Sequence, residues 1–141
     1  IRDRPQSAAA RARTGPSVNL VDSSGWIEYL SGGGNASFFR KPIEGDDPLL
    51  VPTLNLFEVY RHMLRHVGRE EALNVVAAMR GGIVVDLDDR LALEAAELSV
   101  ETRLSLADSI LLATARSHRA DFWTQDSDFE GLEGVRFRAS N

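Results

Sequence analysis

From Val18 onward, short apolar runs alternate with longer segments in which apolar residues recur at helical spacing. Strands separated by helices long enough to cross over pair in parallel, and a parallel sheet has to be covered on both faces. Four strands are predicted, over residues 18–21, 83–87, 121–124 and 135–137. The spacing between them predicts helices over 24–30, 53–66, 70–79, 88–102 and 105–118. Gly32-Gly33-Gly34 stops the first helix and Gly81-Gly82 the third. Thr53 is a candidate cap for 53–66, where Leu54, Phe57, Leu64 and Val67 fall near one helical face. Residues 88–102 begin with acids suited to the helix dipole, and 105–118 open on Ser105-Leu106-Ala107-Asp108, the pattern of a capping box. Residues 35–48 are polar, contain glycine and read as a loop. The expected fold class is α/β, a central parallel sheet with helices on both faces and no repeat or domain boundary within 18–141.

A chain of 141 residues can bury roughly two-thirds of its unfolded surface, enough for a single core. It has no cysteine, which excludes thiol nucleophiles, disulfide frameworks, zinc ribbons and iron–sulfur sites. No apolar run approaches the roughly 20 residues that cross a bilayer, and no secretory signal pattern stands near the start; a cytoplasmic location without membrane contact is the expectation. A net charge of −5 argues at first against a nucleic-acid partner. The charge is uneven, however. Residues 1–18 carry four arginines against one aspartate, a local +3, so the total of −5 leaves −8 for the other 123 residues. Residues 1–17 are expected to be a disordered basic tail or a remnant of expression-vector sequence, with an RNA-binding arm as the alternative.

Several chemistries lack their signatures. There is no Gly-x-Gly-x-x-Gly after the first strand, no phosphate-binding Gly-x-x-x-x-Gly-Lys-Ser/Thr and no Gly-x-Ser-x-Gly nucleophile elbow. Acidic residues stand instead where solubility does not require them. Asp22 follows the first apolar run, at the carboxyl end of a strand, where open α/β sheets place their ligands. It would also serve as a helix cap. Asp108 lies in a helix apolar around most of its circumference, where a charge needs a partner. Glu58 sits mid-helix, and its plainer role is a pair with Arg61 or His62. Asp126 and Asp128 flank Ser127 after a late strand, where a simple turn is the plainer reading. Gathered into one cleft, such carboxylates cannot all stay ionised unless a cation sits among them. Hard divalent ions take oxygen ligands and share phosphate oxygens, so the pattern points to metal-assisted phosphodiester hydrolysis.

The ordered set Val21-Asp22-Ser23-Ser24, Asn55-Leu56-Phe57-Glu58-Val59, Leu104-Ser105-Leu106-Ala107-Asp108-Ser109-Ile110-Leu111 and Trp123-Thr124-Gln125-Asp126-Ser127-Asp128-Phe129 resembles the PIN domain, specifically the VapC-type toxin ribonucleases of bacterial toxin–antitoxin pairs. The resemblance spans about residues 18 to 138. It implies a Mg²⁺- or Mn²⁺-dependent endoribonuclease, homodimerisation, and a VapB-type antitoxin whose C-terminal segment covers the acidic cleft. Carried over by position, it implies that Asp22 and Asp108 are direct metal ligands, that Glu58 orients water or a second ion, and that Asp126 completes the quartet. Asp128 is the alternative fourth acid. Ser24 and Thr124 match positions whose hydroxyls hold these carboxylates in place. The basic tail departs from the family, whose domain usually starts at the first strand.

Other features invite competing readings. His62 and His66 have zinc-like spacing but lack the intervening acid, and exposed histidines are the simpler account. Arg61 and Arg65 follow Glu58 by one and two turns and suit either substrate phosphate or paired charges on a solvated face. Trp26 and Trp123 could stack on bases, but their positions favour core packing. Three other functions are alternatives: a catalytically silent interaction module of the same fold, a PIN nuclease of RNA processing, and a DNase. A phosphoacceptor receiver domain needs a lysine near the last strand, and the only lysine is Lys41.

Overall fold

The structure is a computed structural model that describes residues 17–140. The expected basic tail, 1–17, lies outside the described residues except for Ser17. Five parallel strands form one sheet in the order β3-β2-β1-β4-β5: β1 Asn19–Val21, β2 Leu49–Pro52, β3 Ile83–Val85, β4 Asp121–Thr124 and β5 Val135–Phe137. Six α-helices connect them: α1 Ser23–Ser31, α2 Ala36–Glu44, α3 Thr53–His66, α4 Arg69–Met79, α5 Asp89–Thr102 and α6 Leu106–Ser117. A single 3₁₀ turn, Ser127–Phe129, follows β4. Among the described residues no helix is long and apolar enough to cross a membrane.

The period-two geometry of the strands divides their side chains between two cores. Leu20, Leu50 and Phe122 face one, which is closed by Leu91, Ala95 and Leu98 of α5 and Leu111 and Leu112 of α6. Val21, Val51 and Trp123 face the other, which is closed by Trp26 of α1, Phe39 of α2, Val59 and Met63 of α3, and Ala72, Val75 and Met79 of α4. Burial on both faces explains why the central strands are continuous apolar runs rather than alternating ones.

Two elements, α2 and β2, were absent from the sequence expectation. The stretch read as a loop contains α2, whose Phe38, Phe39, Pro42 and Ile43 make a helical stripe against the second core. Asn35 makes no side-chain cap there, and Pro42 inside the helix removes a backbone donor, so both local signals argued against a helix that packing nevertheless stabilises. Leu49–Pro52, a run of four residues ending in proline, is a strand in the heart of the sheet. Pro52 stands in the cap position of α3, and Thr53, expected as the cap, is its first residue. That helix also turns a different face inward than its apolar spacing suggested: Asn55, Val59 and Met63 are buried, whereas Phe57, Leu64 and Val67 are exposed. The first residue of α6, Leu106, is likewise exposed, so that helix is apolar beyond its buried face. The strand expected over 83–87 ends at Val85, and Asp88 caps α5.

The strand order places the site. The sequence progresses outward from β1 through β2 to β3, then returns to the centre and progresses the other way through β4 to β5. Between the carboxyl ends of β1 and β4 the connections diverge to opposite sides and leave the crevice where such sheets bind ligands. Val21 and Trp123 are partners in register there, so the residues that leave the two strands, beginning with Asp22 and Thr124, meet at one place.

Candidate functional site

Asp22 is the first residue past β1 and the N-cap of α1. Its Oδ1 accepts from the Gly25 amide at 2.7 Å and the Ser24 hydroxyl at 3.0 Å, and its Oδ2 accepts from the Thr124 hydroxyl at 2.6 Å. Gly25 is required for this turn to lie close to the sheet. A Cβ there would meet the Phe39 ring at 2.6 Å and Val21 Cγ1 at 2.8 Å. Asp22 is only 3% exposed. Burial pushes its carboxyl up to about 6 despite the hydrogen bonds from Thr124, Gly25 and Ser24, and the charge of Asp108 adds to the rise.

Asp108 lies in the first turn of α6, where its amide donates to Ser105 Oγ at 3.2 Å. The cap expected from the sequence is therefore present and leaves the carboxylate at the mouth of the cleft. Half-burial raises its pKa. The charges of Asp126, Glu58 and Asp128 raise it further, and a hydrogen bond with Ser105 partly offsets them. Asp126 caps the 3₁₀ turn by accepting from the Asp128 amide at 2.9 Å, and its own amide donates to Thr124 Oγ1 at 3.0 Å. Carboxylate oxygens of Asp108, Asp126 and Asp128 lie within 4.8 Å of one another. Asp126 is half-buried and Asp128 exposed. Glu58 reaches the same cleft from α3, with its Oε1 accepting from Ser23 Oγ at 2.6 Å.

The structure thus brings the four sequence candidates, together with Asp128, to one end of the sheet. Two contributors had no role assigned from sequence. Ser23 bonds Glu58, and Asn55, fully buried, donates from Nδ2 to the Val21 carbonyl at 2.9 Å. The apolar spacing of this helix pointed to another face, so the signal available for Asn55 was its place in the motif that carries the resemblance. The donor set is all oxygen and carboxylate-rich, which fits a hard divalent cation rather than zinc or copper. The histidines stand apart. His62 and His66 stack on each other with ring centroids 4.2 Å apart, and among the described residues the only metal-like grouping is acidic. Trp26 and Trp123 are core residues, and Trp123 Nε1 donates to Asn19 Oδ1 at 2.9 Å. Arg61 lies over the exposed Phe57 ring at 4.9 Å, and among the described residues neither Arg61 nor Arg65 forms an ion pair.

The family model described as PIN domain matches residues 20–135. The chain belongs to the PIN domain family. Solved structures agree with this fold. A toxin–antitoxin complex from Klebsiella pneumoniae is 23% identical, with a TM-score of 0.70 over 84% of this chain and 95% of the other. VapC20 from Mycobacterium tuberculosis, described as a sarcin–ricin loop cleaving toxin, is 22% identical, with a TM-score of 0.65 over 80% of this chain and 92% of the other. DNA-bound VapBC from Salmonella typhimurium is 16% identical, with a TM-score of 0.65 over 89% and 98% of the two chains. None of the curated proteins matches the chain in sequence. This PIN domain therefore has structural neighbours that are VapC toxins of VapBC toxin–antitoxin systems, and it carries an acidic cluster at the carboxyl ends of its central strands.

Proposed function

We propose that this PIN domain is a divalent-cation-dependent endoribonuclease acting as the toxin of a toxin–antitoxin pair. The observation that carries the reading is the convergence of Asp22, Glu58, Asp108 and Asp126 at the β1/β4 crevice, with the carboxylates of Asp22 and Asp108 both raised above their usual range. Such a site is electrostatically costly without a cation and is stabilised by one. Asp22, Asp108 and Asp126 would hold Mg²⁺ or Mn²⁺, and Asp128 is available beside them. When bound, the cation supplies charge neutralisation at phosphorus and a more acidic water for in-line attack.

The residues of the chain do the rest. Ser24, Thr124 and the Gly25 amide fix both oxygens of Asp22, so the carboxylate keeps one orientation. Glu58 faces Asp108 across the cleft and is placed to accept a hydrogen bond from the attacking water. Arg61 and Arg65, one and two turns beyond Glu58 and without an ion pair among the described residues, are suited to neighbouring phosphates of the RNA strand. The acidic mouth equally suits an arginine-bearing segment of a VapB-type antitoxin, and toxin-like domains of this kind are expected to work as homodimers. That neighbours are toxin–antitoxin complexes and that one is described as a sarcin–ricin loop cleaving toxin support the assignment.

The experiment is incubation of the purified domain with RNA in Mg²⁺, in Mn²⁺ and in EDTA, followed by sequencing of the cut ends. Cleavage confined to the metal-containing reactions is the expected result. Equal cleavage in EDTA, or none in either metal, overturns the proposal.

A further inference from the structure

Ser23, the first residue of α1, sits between two acceptors. Its hydroxyl oxygen is 2.6 Å from Glu58 Oε1 and 2.9 Å from Asn55 Oδ1. A serine hydroxyl has one hydrogen, so it satisfies only one of these at a time. The carboxamide of Asn55 cannot turn over to become a donor toward Ser23, because its Nδ2 is committed to the Val21 carbonyl at the end of β1. Asn55 is fully buried, one turn before Glu58 on α3, and so ties α3 rigidly to the strand that delivers Asp22. The two arms of the cleft, Asp22 on the sheet and Glu58 on the helix, are therefore referenced to the same carbonyl.

We infer that Ser23 is a positioning residue for Glu58: its hydroxyl holds one carboxylate oxygen and leaves the other directed into the cleft toward Asp108. Asn55 Oδ1 is the alternative acceptor. When Glu58 turns to a cation or to a water, the Ser23 hydrogen passes to Asn55 and is not left buried without a partner. Glu58 thus has a defined resting orientation and an inexpensive exit from it. The inference rests on the nuclease reading for its kinetic consequence, while its effect on metal binding can be read without RNA.

The test compares Ser23→Ala, Ser23→Thr, Glu58→Gln and the double variant Ser23→Ala/Glu58→Gln. Mn²⁺ binding is titrated without RNA by the electron paramagnetic resonance of the free ion, and kcat and KM are measured on RNA. Ser23→Ala is expected to weaken Mn²⁺ binding and lower kcat about 10-fold or more while KM stays within about twofold, the usual scale for a group that orients a ligand. Ser23→Thr keeps the hydroxyl and is expected to recover both within about threefold. In the Glu58→Gln background, Ser23→Ala is expected to add nothing further, because Ser23 acts through Glu58. An unchanged Mn²⁺ midpoint in Ser23→Ala, or a loss of the same size in the Glu58→Gln background, overturns the inference. If the wild-type protein binds Mn²⁺ but cuts no RNA, the nuclease reading fails and the midpoints alone decide the role of Ser23. Failure of the wild type to bind Mn²⁺ at all overturns both.

Discussion

The Thr124 hydroxyl donates to Asp22 Oδ2 at 2.6 Å and accepts from the Asp126 amide at 3.0 Å, so one side chain at the end of β4 joins two carboxylate-bearing positions. Thr124 is fully buried, and so is the bond. Thr124→Val keeps the shape and β-branching but takes the acceptor from the half-buried Asp126 amide and removes a donor from the buried Asp22 carboxylate. Loss of such a bond costs about 1–3 kcal/mol. Urea denaturation of the metal-free protein should show a lower midpoint with an unchanged slope. An unchanged midpoint would mean that Thr124 supports neither position.

Asp108→Asn removes one negative charge from a group crowded by Asp126, Glu58 and Asp128 while preserving its volume and the amide bond to Ser105. The fold should be retained, and the metal-free protein should be no less stable than wild type. If Asp108 is the metal ligand proposed above, RNA cleavage should fall on the order of 100-fold or more, because no structural contact is lost with it. Asp126→Asn should resemble it, and Asp128→Asn should be milder, because Asp128 is exposed and caps nothing. A ranking with Asp128 as the more damaging of the two would exchange their roles. Wild-type cleavage by Asp108→Asn would sink the acidic-quartet assignment.

The legibility of this fold in its sequence followed the strength of local signals. The central strand before Asp22 and helix α6 were visible because glycine stops, a Ser-x-x-Asp start and apolar period agree there. Strand β2 was not, because four apolar residues ending in Pro52 are indistinguishable from a linker until β1 and β3 pair with them on either side. Helix α2 was hidden by Pro42 and an uncapped start, local costs that burial of Phe39 outweighs. The carboxylates were legible one by one: Asp22 and Asp126 follow strands and Asp108 opens a helix, while Glu58, mid-helix, stood out only through the motif that carries the resemblance. Their mutual approach depended on the strand order, which places β4 beside β1 and which no local pattern encodes. Ser23 and Asn55 escaped assignment because their function lies in contacts 32 and 35 residues apart in the chain.

Arg61 and Arg65 have no acidic partner among the described residues, and Arg61 is held only over the Phe57 ring. On α3 they follow Glu58 along one stripe, and Arg65 lies roughly 6 Å beyond Arg61 along the axis at 1.5 Å per residue. That is comparable with the spacing of successive phosphates in a single strand. If each contacts one phosphate, replacing both by alanine should reduce the salt dependence of RNA binding by about 1.4 in slope, at about 0.7 per contact. Binding is measured in the Asp108→Asn background so that the RNA stays intact. An unchanged slope would assign the pair to protein contacts or to solvent.

The stability of the metal-free protein should fall as pH rises from 5 to 7.5. Asp22 has a folded-state value of about 6 against 3.8 for the free side chain, so between those values the folded state binds the extra proton. Its stabilising contribution is complete below about 3.8 and is lost as pH passes upward through 6, amounting to about 3 kcal/mol at most. Asp108, also raised by burial and by neighbouring carboxylates, acts in the same direction. The melting temperature in EDTA should therefore decline by several degrees across this window, and Asp22→Asn should flatten the decline. A divalent cation bound by the ionised carboxylates reverses the sign, since a ligand held only by the folded state stabilises it and is held more tightly once protons have left. Millimolar Mg²⁺ or Mn²⁺ should thus raise the melting temperature more at pH 7.5 than at pH 5. A melting temperature in EDTA that is flat or rises with pH would place the buried charge of Asp22 outside the energetics of this cleft.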